Sequence, residues 1–582
     1  MLRRFCRPYR RWFVIGPLTK VVEVLFEIVT PLLVAHMIDR AVAGADSSEL
    51  LSIVGLLAAM AVVGFLSTLA CQKVAALTAQ GFGTDLRSAL YAQVNELSQE
   101  QVDAFGTASL ITRITSDVNQ LQLAVALTIR MLIRWPVLAV LSVLSALLID
   151  WHLGLVFLLC LPVVGVIFWV VMGRSLPYFR VAQEKLDRVS AIVREGLAGT
   201  RVVRAFVREG HEQQRFEQAA AEQADVSVSA GRLSALLNPL TLLVLDAGIA
   251  AILVLGGGRV YAGNLTQGQL VAFVTYMNQA LVAVGYVANL VITYTRAGAS
   301  ARRVTEVLNA VPSVRTAADA QAGLPAAPAC ALELRDVSFT YPGGGAPALQ
   351  HVSLSVPCGA RLGIIGGTGS GKSTLASLFA RSYDASAGSV SVLGQDVRAW
   401  DLAQLRGCMG YVPQRVALVR GTVRSNLLWG RDDATDAELW EALERAQAAD
   451  FVRALDEGLD APVEADGRNF SGGQRQRLTI ARALVRQPRV LVLDDASSAL
   501  DYATDARLRA ALQEMDGLDA TVIVSQRVAS VRAADLICVL SGGEVMGLGS
   551  HDELARGCAV YREICETQHV DLPEACMLEG GR

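Results

Sequence analysis

Charge is scarce in this chain. Only 18% of its 582 residues are Asp, Glu, Lys or Arg, against roughly 25% in an ordinary soluble domain. The 52 basic and 55 acidic side chains nearly cancel, leaving a formal net charge of -3, so no basic excess points to a nucleic-acid partner. The ten cysteines are scattered from Cys6 to Cys576 with no C-x-x-C and no paired His spacing, which argues against a metal centre or a disulfide framework. The N-terminus lacks a small-residue cleavage site after a short apolar core, so it does not read as a secretory signal peptide.

What stands in place of charge is hydrocarbon: 52% of residues are hydrophobic and the mean hydropathy is +0.39. That is too apolar for a soluble protein, and the chain is too long for one domain. Up to about Ala310, apolar runs recur near the length of about twenty residues that a bilayer demands. Six spans are expected, near Phe13 to Ile38, Leu51 to Cys71, Leu121 to Leu148, Leu153 to Met172, Ala235 to Leu255 and Leu270 to Ile292. The long Arg-rich stretches Lys73 to Gln120 and Arg174 to Arg232, and the opening "MLRRFCRPYRR", belong on the cytoplasmic side by the positive-inside rule. The opening also mixes Arg with aromatics, as an interfacial elbow helix does. Within the cytoplasmic stretches, "TASLITRITSDV" and "AGTRVVRAFVREGHE" mix apolar and basic residues at helical spacing.

Ionisable residues inside apolar spans are functional suspects. Glu23 and Glu27 stand four apart in the first span, Arg130 and Arg134 near the start of the third, and Asp246 in the fifth. Two readings stay open: a polar pathway in which the glutamates attract cations, or pairing that holds the bundle together. Tyr276, Asn278, Gln279, Tyr286, Asn289 and Tyr294 form a polar-aromatic series along the sixth span, suited to an amphipathic ligand or to helix packing.

The Ala- and Pro-rich stretch 311–330 reads as a linker. Beyond it, residues 331–582 alternate strand and helix patterns, implying an α/β domain with a largely parallel core sheet. "RLGIIGGTGSGKST" runs from strand to glycine-rich loop to helix, and Gly366, Gly371, Lys372 and Ser373 fit G-x-x-x-x-G-K-[ST]. Its loop, Gly366, Gly367, Thr368, Gly369, Ser370 and Gly371, lets backbone N–H groups wrap phosphate oxygens at a helix N-terminus. Lys372 is placed for the β/γ-phosphates, with Ser373 for Mg²⁺ and Thr374 beside it. "RVLVLDDASSALD" ends a buried strand on Asp494, placed to hold Mg²⁺ through water. Between these motifs, Ser471, Gly472 and Gly473 open a helix in a second phosphate-binding arrangement.

With these motifs in hand, the whole chain resembles the ATP-binding cassette transporters, specifically exporter-type half-transporters. The implied fold is an α-helical membrane domain (1–310) with six transmembrane helices and long cytoplasmic extensions, followed by an α/β P-loop nucleotide-binding domain. The resemblance implies coupling helices near 103–112 and 198–210, Tyr341 stacking on adenine, and Gln414 sensing Mg²⁺. It makes "NFSGGQRQR" the signature, with Phe470 where Leu is usual, and Ser498 to Asp501 the loop that crosses to a second cassette. It also exposes two departures. Asp495 stands where a glutamate base is normal, and Gln526 where a histidine contacts the γ-phosphate. Asp is one methylene shorter than Glu, and a displacement of about 1 Å can cost on the order of 10²-fold in rate; Gln cannot titrate as His does. The pattern resembles the degenerate subunit of bacterial heterodimeric multidrug exporters. Expected, therefore, are ATP and Mg²⁺, a partner half-transporter carrying the missing Glu and His, a lipid environment and a small amphipathic substrate. Ser471 and Gly473 would face the partner's ATP. A homodimeric pump, an importer of siderophores and a nucleotide-gated channel remain as rivals.

Overall fold

The apolar runs become helices that overshoot the bilayer. In the computed structural model, which describes residues 2–317, 328 and 330–570, six helical segments are long and apolar enough to cross a membrane: Trp12–Val42, Ser47–Glu96, Thr107–Ile149, Trp151–Ala198, Glu209–Tyr261 and Gln267–Leu308. The expected linker lies partly, and Cys576 wholly, outside the described residues. At 1.5 Å per residue, a helix of about 50 residues reaches about 75 Å, more than twice a hydrocarbon core of about 30 Å. The surplus is the cytoplasmic extension, so the Arg-rich stretches continue the spans rather than forming separate elements. Large apolar side chains such as Leu66, Leu159 and Trp169 stand exposed around the helices, as hydrocarbon-facing residues must.

The chain divides into two compact units, Met1–Gln93 with Ala108–Asn309, and Val94–Thr107 with Ala310–Arg582. In the first, the opening and closing spans meet closely. Gly268 N–H donates to Asp39 Oδ1 at 2.8 Å, and the Tyr276 hydroxyl donates to the Ile28 carbonyl at 2.6 Å. The third segment is interrupted twice. A π-helical turn at Arg113–Asp117 places Asp117, almost fully buried, against Ser300 and the guanidinium of Arg303 (Nε–Oδ2 2.8 Å). Higher up, the helix Val118–Arg130 stops and a new one starts at Arg134.

The second unit holds a six-stranded sheet in the order Glu544–Gly549, Leu536–Ser541, Ala360–Gly366, Ala520–Ser525, Val490–Asp494, Met409–Val412. All neighbours are parallel except the first pair. Val490–Asp494 is buried throughout, as befits a strand covered on both faces. A four-stranded antiparallel sheet packs its apolar face into the same core. Phe470 is buried in a separate helical cluster, edge-on to Phe451 at 6.2 Å; the bulkier residue is accommodated by packing. The helix Gln99–Phe105, capped reciprocally by Ser98 and Gln101, also belongs to this unit: the Tyr383 hydroxyl donates to Asp103 at 2.6 Å.

A Cβ on Gly268 would lie 2.0 Å from the Ala35 carbonyl oxygen, whereas one on Gly285 would meet nothing within 4 Å. Gly268→Ala is therefore expected to destabilise the helical unit by about 1–3 kcal/mol, the usual cost of overpacking. Thermal unfolding in detergent should show a lowered midpoint for Gly268→Ala and an unchanged one for Gly285→Ala.

Candidate nucleotide site

The strand Ala360–Gly366 delivers the glycine-rich loop to the carboxyl edge of the sheet, and the helix Lys372–Phe379 leaves from it. Two of its glycines are obligatory on backbone grounds. Gly371 sits at φ 98°, and a Cβ there would lie 2.6 Å from the Ala348 carbonyl; a Cβ on Gly366 would come within 2.1 Å of the Leu540 carbonyl. Lys372, largely buried, folds its ammonium over the loop and donates to the carbonyls of Gly366 (2.9 Å) and Gly367 (2.6 Å). Burial lowers its pKa, partly offset by the nearby Asp495 and Asp494.

Asp494, at the end of Val490–Asp494, is tied to the loop directly. Its Oδ1 accepts from the Ser373 hydroxyl at 2.8 Å and its Oδ2 from Tyr411 at 3.4 Å. Burial raises its pKa above the ordinary carboxylate range, and the adjacent Asp495 pushes the same way. Asp495 is also raised, again by burial first. Its backbone is left-handed, φ 51°, a conformation that Asp tolerates better than most residues. Gln414 donates to its Oδ2 at 3.5 Å.

These side chains surround a cavity of about 300 Å³, lined by Tyr341, Thr368, Gly369, Ser370, Gly371, Lys372, Ser373, Thr374, Gln414, Asp494, Asp495 and Gln526, with Ala348 and Val524. Gly366 and Gly367, at the start of the loop, are not on this wall. Tyr341 stands at the mouth, its hydroxyl 3.0 Å from Thr374 Oγ1 and its ring edge-on to Tyr383 at 5.4 Å. Gln526 is exposed, and its carbonyl is held by Gln568 at 2.7 Å. Donors from a glycine loop, a lysine and a hydroxyl–carboxylate pair suit a triphosphate with its divalent cation: backbone N–H groups and Lys372 for phosphate, Ser373 and Asp494 for Mg²⁺.

Ser471 and Gly473 do not line this cavity. Ser471 caps the helix Gly472–Val485, accepting from Gln474 N–H at 3.3 Å while its own N–H donates to Gln474 Oε1 at 2.8 Å. Ser498 donates to the Asp495 carbonyl at 2.9 Å, and Asp501 caps the next helix. Sequence reading missed Tyr411 and Tyr383. Tyr411 lies three residues before Gln414, which the resemblance already singled out; Tyr383 has no local signal, since it reaches Tyr341 only through the tertiary fold.

The intramembrane suspects are resolved in part. Glu23 pairs with Lys20 (2.5 Å) and Glu27 with Arg134 (2.5 Å), so the glutamates are neutralised within the bundle, and pairing fits them better than cation attraction. Asp246 is exposed on the helix Leu237–Tyr261. Tyr276 is fully buried, while Tyr286 and Asn289 are exposed and Tyr294 bonds Thr128.

The family model described as ABC transporter transmembrane region matches residues 13–284, and the one described as ABC transporter matches residues 349–498. An uncharacterised ABC transporter ATP-binding protein of Mycobacterium tuberculosis is 36% identical over 577 residues, 98% of each chain. An ATP-dependent lipid A-core flippase of Desulfotalea psychrophila is 32% identical over 475 residues, 81% of this chain and 82% of the relative. In fold, a bacterial Atm1-family ABC exporter with ATP bound superposes with a TM-score of 0.78 at 24% identity, covering 99% of this chain and 100% of that one.

Asp494→Asn is expected to weaken Mg²⁺ binding by about 10–100-fold, the usual effect of removing an outer-shell carboxylate, in a Mg²⁺ titration of nucleotide binding. Because burial raises the Asp494 pKa, its ionisation costs stability as pH rises through that pKa. Without nucleotide at neutral pH, the Asn variant should therefore unfold at an equal or higher temperature than the parent.

Proposed function

This chain belongs to the ABC transporter family, and from that premise we propose that it is one subunit of an ATP-driven exporter of small amphipathic molecules, multidrug-like or lipid-like. It contributes a degenerate ATP site and an intact signature to a heterodimer in the plasma membrane. Membership makes the chain a multi-pass membrane protein with a cytoplasmic nucleotide-binding domain and an ATPase transporter. The pairing, the degeneracy and the substrate class are the proposal.

One observation carries it: Asp495 and Gln526 share the cavity wall with the phosphate loop, while Ser471 and Gly473 stand off it. ATP held by Lys372, the loop and Tyr341 would be capped by the partner's signature, and Ser471 and Gly473 would cap the partner's ATP. Bound Mg²⁺ neutralises phosphate charge. Asp495, with its shorter arm, holds a proton-accepting carboxylate farther from the cavity than Glu would, and Gln526 offers a hydrogen bond without a titrating charge. Hydrolysis then falls mainly to the partner's site. The short helix Thr200–Ala205, with Val202, Phe206 and Val207 all more than 60% exposed around it, supplies an uncovered apolar surface suited to docking on a second cassette. The lipid A-core flippase among the relatives supports an amphipathic cargo.

One alternative is a homodimeric pump, in which the Asp495 carboxylate on the cavity wall suffices as the base.

Mg-ATP hydrolysis by the purified chain alone in lipid, beside nucleotide binding, decides between them. Binding with slow turnover is expected, and Asp495→Glu with Gln526→His should raise turnover by on the order of 10²-fold. Brisk, substrate-stimulated hydrolysis by the unaltered chain would instead establish the homodimer.

A further inference from the structure

Gln526 is the first residue past the strand Ala520–Ser525, whose last ladder pair joins Ser525 to Ile365. Up to that point the backbone is fixed from both sides, by Ala360–Gly366 and Val490–Asp494. Beyond it the ladder ends, and backbone groups beside a buried core need other partners. A side chain 42 residues further on supplies them. Gln568 Nε2 donates to the Gln526 carbonyl at 2.7 Å, and Gln568 Oε1 accepts from the Val528 N–H at 2.8 Å. One carboxamide thus meets the carbonyl of one residue and the N–H two residues on, as the peptide of an adjacent strand would. Only Asn and Gln carry a donor and an acceptor side by side in this way.

The clamp is mounted on a fixed base. Gln568 follows the helix Ala559–Thr567, whose Tyr561 and Cys565 are fully buried in one apolar cluster with Val528, Val531 and Ile365. The helix ends in a Schellman turn. His569 is left-handed at φ 52°, its N–H donates to the Glu566 carbonyl at 3.1 Å, and the Val570 N–H donates to the Cys565 carbonyl at 3.0 Å. Gln568 stands between helix and turn, its own N–H on the Ile564 and Cys565 carbonyls at 3.2 and 3.1 Å. On the other side of the clamped segment, the Arg527 guanidinium donates to the Ser498 carbonyl at 3.2 Å, and the Ser530 and Ser497 hydroxyls lie 3.2 Å apart. The backbone after Ser525 is therefore held from two sides. The Gln526 side chain makes no hydrogen bond among the described residues and lines the nucleotide cavity, whereas Gln568 is not on its wall.

We propose that Gln568 is a positioning residue for γ-phosphate recognition: its carboxamide clamps the backbone at Gln526 and Val528 and so aims the Gln526 amide at the end of the triphosphate. The inference rests on the proposed reading that Gln526 stands at the γ-phosphate contact. Gln has one more rotatable bond than His, so a fixed backbone leaves less for nucleotide binding to order.

The test compares the affinity of the full chain in lipid nanodiscs for Mg-AMP-PNP and Mg-ADP, which differ at the γ-phosphate, with thermal unfolding as the fold control. Gln568→Ala should bind Mg-ADP as the parent does and lose about fivefold in Mg-AMP-PNP affinity, the scale of one hydrogen bond to a charged acceptor. Gln568→Glu has the same shape but no donor for the Gln526 carbonyl, so it should lose the preference as well, with an unchanged unfolding midpoint. Gln526→Ala should lose at least as much as either. Gln568 variants that keep the parent's preference while Gln526→Ala loses it overturn the clamp and leave the reading of Gln526 standing. An equal loss for both nucleotides makes Gln568 a structural cap and also overturns the proposal. An unchanged preference in Gln526→Ala removes the γ-phosphate contact itself, and the role of Gln568 with it.

Discussion

A carboxylate taken out of water must be given a cation or a donor, and both units of this protein are arranged around that requirement. In the nucleotide-binding unit, Asp494 is buried at the end of a buried strand, and among the described residues its oxygens accept from the Ser373 and Tyr411 hydroxyls. Lys372 is near but is committed to the loop carbonyls. Two neighbouring acids, both pushed up by burial, meet one lysine pushed down. A divalent cation brought in with a polyphosphate would offset the cost of burying these carboxylates in their charged form.

The membrane unit meets the same requirement from within its own chain. Asp117 is buried at the π-helical turn and receives Arg303 and Ser300; removing one partner from such a pair costs far more than the pair is worth. Glu23 is shared by Lys20, Thr68 and Arg134. These contacts join the first three spans, where lipid provides no hydrophobic drive between helices and polar contacts help set the packing.

How much of this was legible follows from the range of each interaction. The phosphate loop was readable because strand, glycines, lysine and hydroxyl are consecutive, and its geometry is local. The spans were readable from apolar length and their cytoplasmic extensions from long Arg-rich stretches of helical spacing; hydropathy alone did not give the continuity by which Leu51 to Cys71 runs on within Ser47–Glu96. Lys20 carried a usable signal, three residues before Glu23 on one helical face. The pairing of Arg134 with Glu27 carried none, since it joins residues 107 apart in the chain. The break after Arg130 did carry a local signal: Pro136 has no N–H for the Leu132 carbonyl and its ring crowds that carbonyl, so one helix stops and the next starts at Arg134 with the proline in its first turn.

Phe470 and Asp495 show that a departure from a family pattern has to be judged by its surroundings. Phe470 is absorbed into an apolar cluster, where one large side chain replaces another and the cap geometry of Ser471 is kept. Asp495 is different because its carboxylate is a reacting group in the resemblance, and there distance matters more than volume. Its left-handed backbone suits Asp, which explains how the residue is tolerated, but conformational fit does not restore the missing methylene. Gln526 lines the same wall, where the resemblance expects a histidine. A single shortened base could be offset by a small shift of the strand end. A shortened base and a lost imidazole on one cavity would need two independent offsets, and that asymmetry is what favours a partner over a second copy of this chain.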